Sequence, residues 1–231
     1  RTPMPHKVGV IIPTYKRPDL LRQAVLQWIV QSVKPDVLCI NQNGSEESYE
    51  WVIEDLKPLI EIKWLHVPTE LKQHYWYLLP LTTLLCEGCD VFLWADHDDI
   101  YYRDHVEKVL EELKDADSTV SDTCGILYVK DKEYKYHPPE KFLYHAPGGM
   151  TSTSAFNRTV ALDLMNGLLN DDQYYYSDCV LRDTMLKHKK KLSSNNTSVY
   201  VSHKGSHTSG HWPDLVFPAA EPEGIQLPEA A

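Results

Sequence analysis

Positive charge is scarce in this 231-residue sequence: 23 Lys and Arg stand against 33 Asp and Glu, a formal net charge of −10. Nucleic acids and anionic membrane surfaces are bound through basic footprints that release counterions, so a general surface of either kind is excluded. Long apolar runs are lacking as well. No stretch approaches the ~18 consecutive apolar residues of a membrane-spanning helix. The apolar start, Val8–Ile12, is too short for a secretory signal and runs into Pro13. Cysteine is sparse and odd in number: Cys39, Cys86, Cys89, Cys124 and Cys179 do not describe a disulfide framework. Cys86-Glu-Gly-Cys89 has redox spacing but no second pair for zinc, and reads as ordinary reduced cysteines near a helix end. Asn43-Gly-Ser, Asn157-Arg-Thr, Asn195-Asn-Thr and Asn196-Thr-Ser fit the glycosylation pattern, which carries no weight without a secretory signal. A cytoplasmic protein is expected.

What is present is enough for a core: 42% hydrophobic residues, with 14 Tyr and 6 Trp, which excludes wholesale disorder. The first hundred residues alternate between apolar runs and helical spacing. Val8–Ile12, Asp36–Ile40, Ile60–Leu65 and Val91–Trp94 read as strands. A helix beginning at Pro18, helical stretches at Glu47–Leu56 and Lys72–Leu85, and a later helix over Arg103–Leu113 fill the intervals. Such alternation with short links predicts an α/β fold, a parallel sheet covered on both faces. The second half is less regular. A hairpin is expected around Lys130-Asp-Lys132, a long loop over His137–Met150, a strand over Thr151–Phe156, helices near Thr159–Leu168 and Ser177–His188, and a last strand at Val199–Ser202. Neither a repeat nor a clean linker divides the chain. Residues 1–212 are expected to form one domain, with halves at about 1–100 and 101–212, followed by a Pro/Glu/Ala-rich tail at 213–231.

The most informative segment is Asp96-His-Asp-Asp99, which follows the fourth apolar strand. Ligands of α/β sheets gather beyond the carboxyl ends of the strands. Side chains two apart in an extended segment point the same way, so Asp96 and Asp98 can converge on one ligand. Carboxylates that close repel unless something positive sits between them, and a hard divalent cation, Mn²⁺ or Mg²⁺, prefers oxygen ligands. A solvated acidic turn capping the next helix is the alternative.

At the end of the first strand stands Pro13-Thr-Tyr-Lys-Arg17. Together with Phe92-Leu-Trp-Ala-Asp-His-Asp-Asp99, this resembles the nucleotide-sugar-binding half of GT-A glycosyltransferases, in particular the large inverting family 2. The resemblance spans about Val8 to His211. Lys16 stands where that family usually has Asn, and His97 where it has a small residue. The resemblance implies a GT-A fold, a Rossmann-like nucleotide-binding half with a mixed, mostly parallel central sheet flanked by helices. It implies transfer of a sugar from a nucleoside-diphosphate donor, UDP by preference with glucose or rhamnose as guesses, to a hydroxyl of a glycan or glycoprotein acceptor.

Residue by residue, Pro13, Thr14, Tyr15 and Arg17 match the nucleotide-contacting end of the first strand, with Tyr15 against the base and Arg17 toward the diphosphate. Where the family has an acid after the second strand, this chain has Asn41-Gln-Asn-Gly-Ser45, so the Asn43 amide is the candidate base contact, and absence of that contact is the alternative. Asp96 matches the carboxylate facing ribose or metal, Asp98 the metal ligand, and Asp99 either orients them or caps a helix. A histidine of the second half often completes the metal shell, and His203 or His207 is the candidate; exposed loop histidines are the alternative. Inverting transfer needs a base for the acceptor hydroxyl. Asp178 in Tyr175-Tyr-Ser-Asp-Cys matches its position, against the alternative that Ser177 or Asp178 is a helix cap. Gly149, in Pro147-Gly-Gly-Met, resembles the acceptor-side glycine that allows close approach to the donor. Trp76, Tyr101, Tyr102, Tyr174–Tyr176 and Trp212 are candidates for sugar stacking or core. Two other classes compete. A nucleotidyltransferase usually carries a glycine-rich phosphate loop after its first strand, which Pro13–Pro18 lacks. A non-catalytic binding module would need no base.

Overall fold

A computed structural model of the chain describes residues 6–130, 133–141, 151–170, 177–193 and 198–203. The central sheet has seven strands in the order β10-β6-β9-β4-β1-β2-β3. Its members are β1 (Val8–Thr14), β2 (Val37–Asn43), β3 (Glu61–Val67), β4 (Val91–Trp94), β6 (Ser118–Ser121), β9 (Ala155–Asn157) and β10 (Lys190–Ser193). All neighbours run parallel except β9, which is antiparallel to both β4 and β6. The sheet is therefore mixed and mostly parallel.

Strands β1 and β4 and the first part of β2 are largely apolar because both faces are covered. Along β1, Val8, Val10 and Ile12 face one core with Leu21, Val25 and Trp28 of α1 (Pro18–Ile29), Ile53 of a 3₁₀ turn (Glu50–Leu56) and Val106 of α3 (His105–Glu112). Ile11 faces the other core with Leu81 and Leu84 of α2 (Gln73–Cys86), Leu164 of α4 (Arg158–Asn170) and Leu181 of α5 (Ser177–Met185). Gly9 permits α2 to come close: a Cβ there would stand 2.9 Å from the Leu84 methyls. A second sheet, β5-β11-β7-β8, joins β5 (Ile100–Tyr101), β7 (Thr123–Lys130), β8 (Glu133–Lys141) and β11 (Ser198–His203).

Several expectations are corrected. β8 continues through Pro138 and Pro139 to Lys141, where a loop was expected. It is the edge of its sheet, the position in which a strand tolerates proline. The expected strand at Thr151 is a 3₁₀ turn, and β9 starts only at Ala155. Glu47–Ser48 are not helical; the 3₁₀ turn begins at Glu50. The strands β6 and β10 were not foreseen, because Ser-Thr-Val-Ser and Lys-Lys-Leu-Ser have no apolar run. Lysines suit β10, which closes the sheet edge.

Cys39, Cys86, Cys89 and Cys179 are unbonded. Burial pushes the Cys39 thiol up to about 12 and the Cys89 thiol up to about 11, the reverse of a reactive redox pair. Asn43 is fully buried, and the Asn157 amide donates to Asp117 at 2.9 Å, so neither is an open glycan acceptor.

α2 carries a proline in its interior. Pro80 has no N–H to give the carbonyl of Trp76 four residues earlier. Asn41, fully buried on β2, donates its Nδ2 to that carbonyl at 3.0 Å. A side chain of the sheet thus replaces the missing helix bond and ties the first turn of α2 to the end of β2.

Candidate functional site

Three strand ends, those of β1, β2 and β4, deliver the candidate residues, and the start of α2 leans over them. β4 is one continuous apolar run, so it ends where the polar residues begin, and Asp96 follows at its carboxyl end. The Asp96 backbone N–H donates to the Tyr101 hydroxyl at 3.0 Å, and that hydroxyl donates to the Ser152 carbonyl at 3.0 Å. The Asp96 Oδ1 accepts from the Tyr77 hydroxyl at 3.0 Å. Tyr77, on α2, is itself fixed by stacking on Trp94, ring centroids 3.8 Å apart and nearly parallel. Burial and the neighbouring acids raise both phenols well above their ordinary value, so they remain donors. Tyr101, a stacking candidate by sequence, is buried and serves the backbone instead.

Asp98 lies 2.7 Å from Arg17 Nη1 across the strand ends. Asp178, in the first turn of α5, reaches the same region: its charge acts on both Asp96 and Tyr77. Loss of hydration is the largest cause, followed by Asp98 and then Asp178, of an Asp96 pKa pushed up to about 7. The structure therefore brings Asp96, Asp98, Asp178 and Arg17 together. Asp99 is buried, and its carbonyl accepts from Gln27. It does not cap α3, which begins at His105 after Asp104.

The raised Asp96 has a pH signature. Between its ordinary value of 3.8 and about 7 the folded protein binds more protons than the unfolded chain, so this residue's contribution makes stability fall as pH rises, flattening above 7. Buried His105, lowered from 6.5 to about 4, works in the opposite sense between those values. The Asp96 share is therefore read as a difference. Asp96→Asn should gain stability over wild type between pH 5 and 8 in urea titrations, by on the order of a few kcal/mol. Parallel pH profiles for the two proteins would refute it.

The end of β1 forms a second part of the site. Tyr15 stacks on Trp76, centroids 5.8 Å apart at 14°, and Trp76 Nε1 donates to the Leu71 carbonyl. Lys16 holds a left-handed φ of 50°, a conformation asparagine adopts more readily than lysine, and its Nζ sits 4.8 Å from the Tyr15 ring centre. Thr14 is turned inward to the Tyr49 hydroxyl at 2.9 Å, and the Pro13 carbonyl contacts His97 Nδ1 at 3.1 Å. These two residues shape the site through the backbone. Asn43 Oδ1 accepts from the Leu71 N–H at 3.3 Å, while its buried Nδ2 has no partner among the described residues. Gly44 has φ 71°, and a Cβ on it would meet Tyr15 Cε2 at 2.6 Å. Gly44→Ala is accordingly expected to cost about 1–2 kcal/mol and to displace Tyr15 from its stack on Trp76. Urea unfolding and near-ultraviolet circular dichroism check both; unchanged stability with an unchanged aromatic spectrum would refute the prediction.

Gly149 and His207 lie outside the described residues. His203 ends β11, its backbone in register with Val129, and its side chain is likewise outside them. Among the described residues, no three His, Cys, Asp or Glu side chains are grouped to hold a metal ion. Sequence reasoning missed Tyr77 and Asn41. Both were signalled: a tyrosine within an apolar helix must find a hydroxyl partner, and an interior proline leaves a carbonyl to be satisfied.

No family model matches the chain. A curated protein of Rickettsia bellii (strain RML369-C), described as an uncharacterized glycosyltransferase, is 24% identical over 176 residues, 71% of this chain. The chain spans only 22% of that relative's length. Among solved structures, residues 1–349 of S. aureus TarS in complex with UDP-GlcNAc align with a TM-score of 0.64 at 13% identity, over 88% of this chain and 60% of that one. The mannosyltransferase PcManGT from Pyrobaculum calidifontis, in complex with GDP-Man and Mn²⁺, aligns with a TM-score of 0.61 at 15% identity, over 89% and 59%. The fold is that of GT-A glycosyltransferases, as the sequence resemblance implied. Among the described residues, no helix is long and apolar enough to cross a membrane.

Proposed function

We propose that this chain is a glycosyltransferase that moves a sugar from a nucleoside-diphosphate donor, UDP by preference, to a hydroxyl of a glycan acceptor with inversion at the anomeric carbon. The observation that carries the reading is the place of Asp96 and Asp98 just beyond the carboxyl end of β4, where burial first, and then the charges of Asp98 and Asp178, push Asp96 up to about 7. So much negative charge is unfavourable without a positive partner. The carboxylate donors are oxygens, which fit Mg²⁺ or Mn²⁺ held by one or two carboxylates plus substrate phosphates. In this reading Asp98, with Asp96, is the protein's share of that site, and His203 or His207 is the further ligand. When bound, the cation would supply positive charge that stabilises the departing diphosphate.

The chain's own residues do the rest. Tyr15, backed by Trp76, offers a flat face to the base, and Asn43 Nδ2 is an amide donor in reach of the same corner. Tyr77 and Tyr101 hold Asp96 from its side chain and its backbone. Asp178 takes the proton of the acceptor hydroxyl as that oxygen forms its bond to the anomeric carbon and the diphosphate leaves from the opposite face. Gly149 belongs to the acceptor side, with residues 1–212 as the catalytic unit and 213–231 as a tail. The unbonded cysteines agree with a reducing, cytoplasmic setting.

The test is a screen of nucleotide sugars with Mn²⁺, with UDP-glucose, UDP-rhamnose, UDP-GlcNAc and GDP-mannose as first donors, reading release of the nucleoside diphosphate. Release from one donor above the others supports the reading. Failure to bind or cleave any nucleotide sugar would overturn it.

A further inference from the structure

Arg17 holds a position that a phosphate-binding arginine would not need. Its Nη1 is 2.7 Å from Asp98 Oδ2, the carboxylate expected to face the cation. The pair is neither buried nor fully solvated: the side chains keep 24% and 18% exposure, so an incoming ligand can reach both. Arg17 is carried there by Lys16, whose φ of 50° turns the chain between β1 and α1. Backbone strain of this kind persists at sites where the geometry is used. No side-chain cap on α1 depends on Arg17.

The charges decide what this contact does. Asp96, Asp98 and Asp178 share one region, and Arg17 is the cation paired to Asp98. A divalent cation approaching Asp98 must displace the guanidinium or lie beside it against like-charge repulsion. A nucleoside diphosphate, by contrast, presents planar pairs of anionic oxygens that suit a guanidinium fork better than a single carboxylate oxygen does. Resting on the function proposed above, we propose that Arg17 is a placeholder on Asp98: it keeps the cation site weak until a nucleoside diphosphate draws the guanidinium away. Cation and nucleotide then bind weakly apart and strongly together. Since coupling of two ligands is reciprocal, each raises the affinity of the other by the same factor.

The experiment measures Mn²⁺ binding directly, by electron paramagnetic resonance of free Mn²⁺, with and without UDP at pH 8. Wild type, Arg17→Gln and Arg17→Lys are compared after circular dichroism confirms folding. In wild type, UDP is expected to tighten Mn²⁺ about tenfold or more. Arg17→Gln should bind Mn²⁺ alone about three- to tenfold more tightly than wild type and lose most of the enhancement by UDP. Arg17→Lys keeps the charge but not the planar fork, so it should bind Mn²⁺ alone about as weakly as wild type and show a smaller enhancement by UDP. Equal or weaker Mn²⁺ binding by Arg17→Gln, or an equal effect of the two substitutions, would overturn the placeholder role while leaving the proposed function intact. Absence of Mn²⁺ binding in all three proteins, with and without UDP, would overturn the placeholder role together with the cation site at Asp98.

Discussion

Asp178→Asn should lower the rate of sugar transfer by about 10²–10⁴, the usual contribution of a positioned general base, while leaving UDP affinity within about threefold. The substitution keeps the size of the side chain and removes its ability to accept a proton. Asp178 sits in the first turn of α5, partly exposed, close enough for its charge to bear on Asp96. Its loss should therefore also lower the pKa of Asp96, a second readout that a distant helix cap would not give. Steady-state transfer assays and UDP titrations separate the two effects. Undiminished transfer would withdraw the base role from Asp178, and undiminished UDP binding with no transfer in either protein would favour a binding module.

Asp98→Ala carries the second large effect. If Asp98 is a ligand of the cation opposite the leaving diphosphate, its removal costs several kcal/mol of transition-state stabilisation, a fall of about 10³ in transfer. The same substitution unpairs Arg17 from Asp98, so UDP binding without metal should hold or improve while the enhancement by Mn²⁺ disappears. Equal dependence of UDP binding on Mn²⁺ in the variant and wild type would exclude Asp98 from the cation site. The opposite responses of metal-free and metal-supported binding make the result hard to mimic by misfolding.

Strands β1, β2 and β4 were readable because each is buried on two faces, so Val8–Ile12 and Val91–Trp94 stand out as unbroken apolar runs. β6 and β10 were not, since a short strand between neighbours can be built from serine, threonine and lysine when its backbone is satisfied by the sheet. Pro138 and Pro139 misled in the other direction, because proline excludes central strands but not edges. Within the site, Asp96 and Asp98 were legible from their place after an apolar strand. That Asp178 joins them, 80 residues further on, was legible only through family resemblance. Tyr77 and Asn41 were hidden because their partners are a distant carboxylate and a freed carbonyl, neither of which periodicity encodes. The Arg17–Asp98 contact was hidden too: both residues were expected to face ligands, and in the structure they face each other.

The proline in α2 has a dynamic consequence. Both aromatic residues that the helix lends to the site, Trp76 and Tyr77, lie before Pro80, while Leu81, Leu84 and Leu85, which root it in the core, lie after it. The ladder between these two lengths is one rung short, and the replacement bond runs sideways to Asn41. The first turn is thus moored to β2 more than to its own helix. A displacement at the end of β2 is carried into the turn that holds Trp76 and Tyr77 through one side chain, and Asn41→Ala should loosen that turn first.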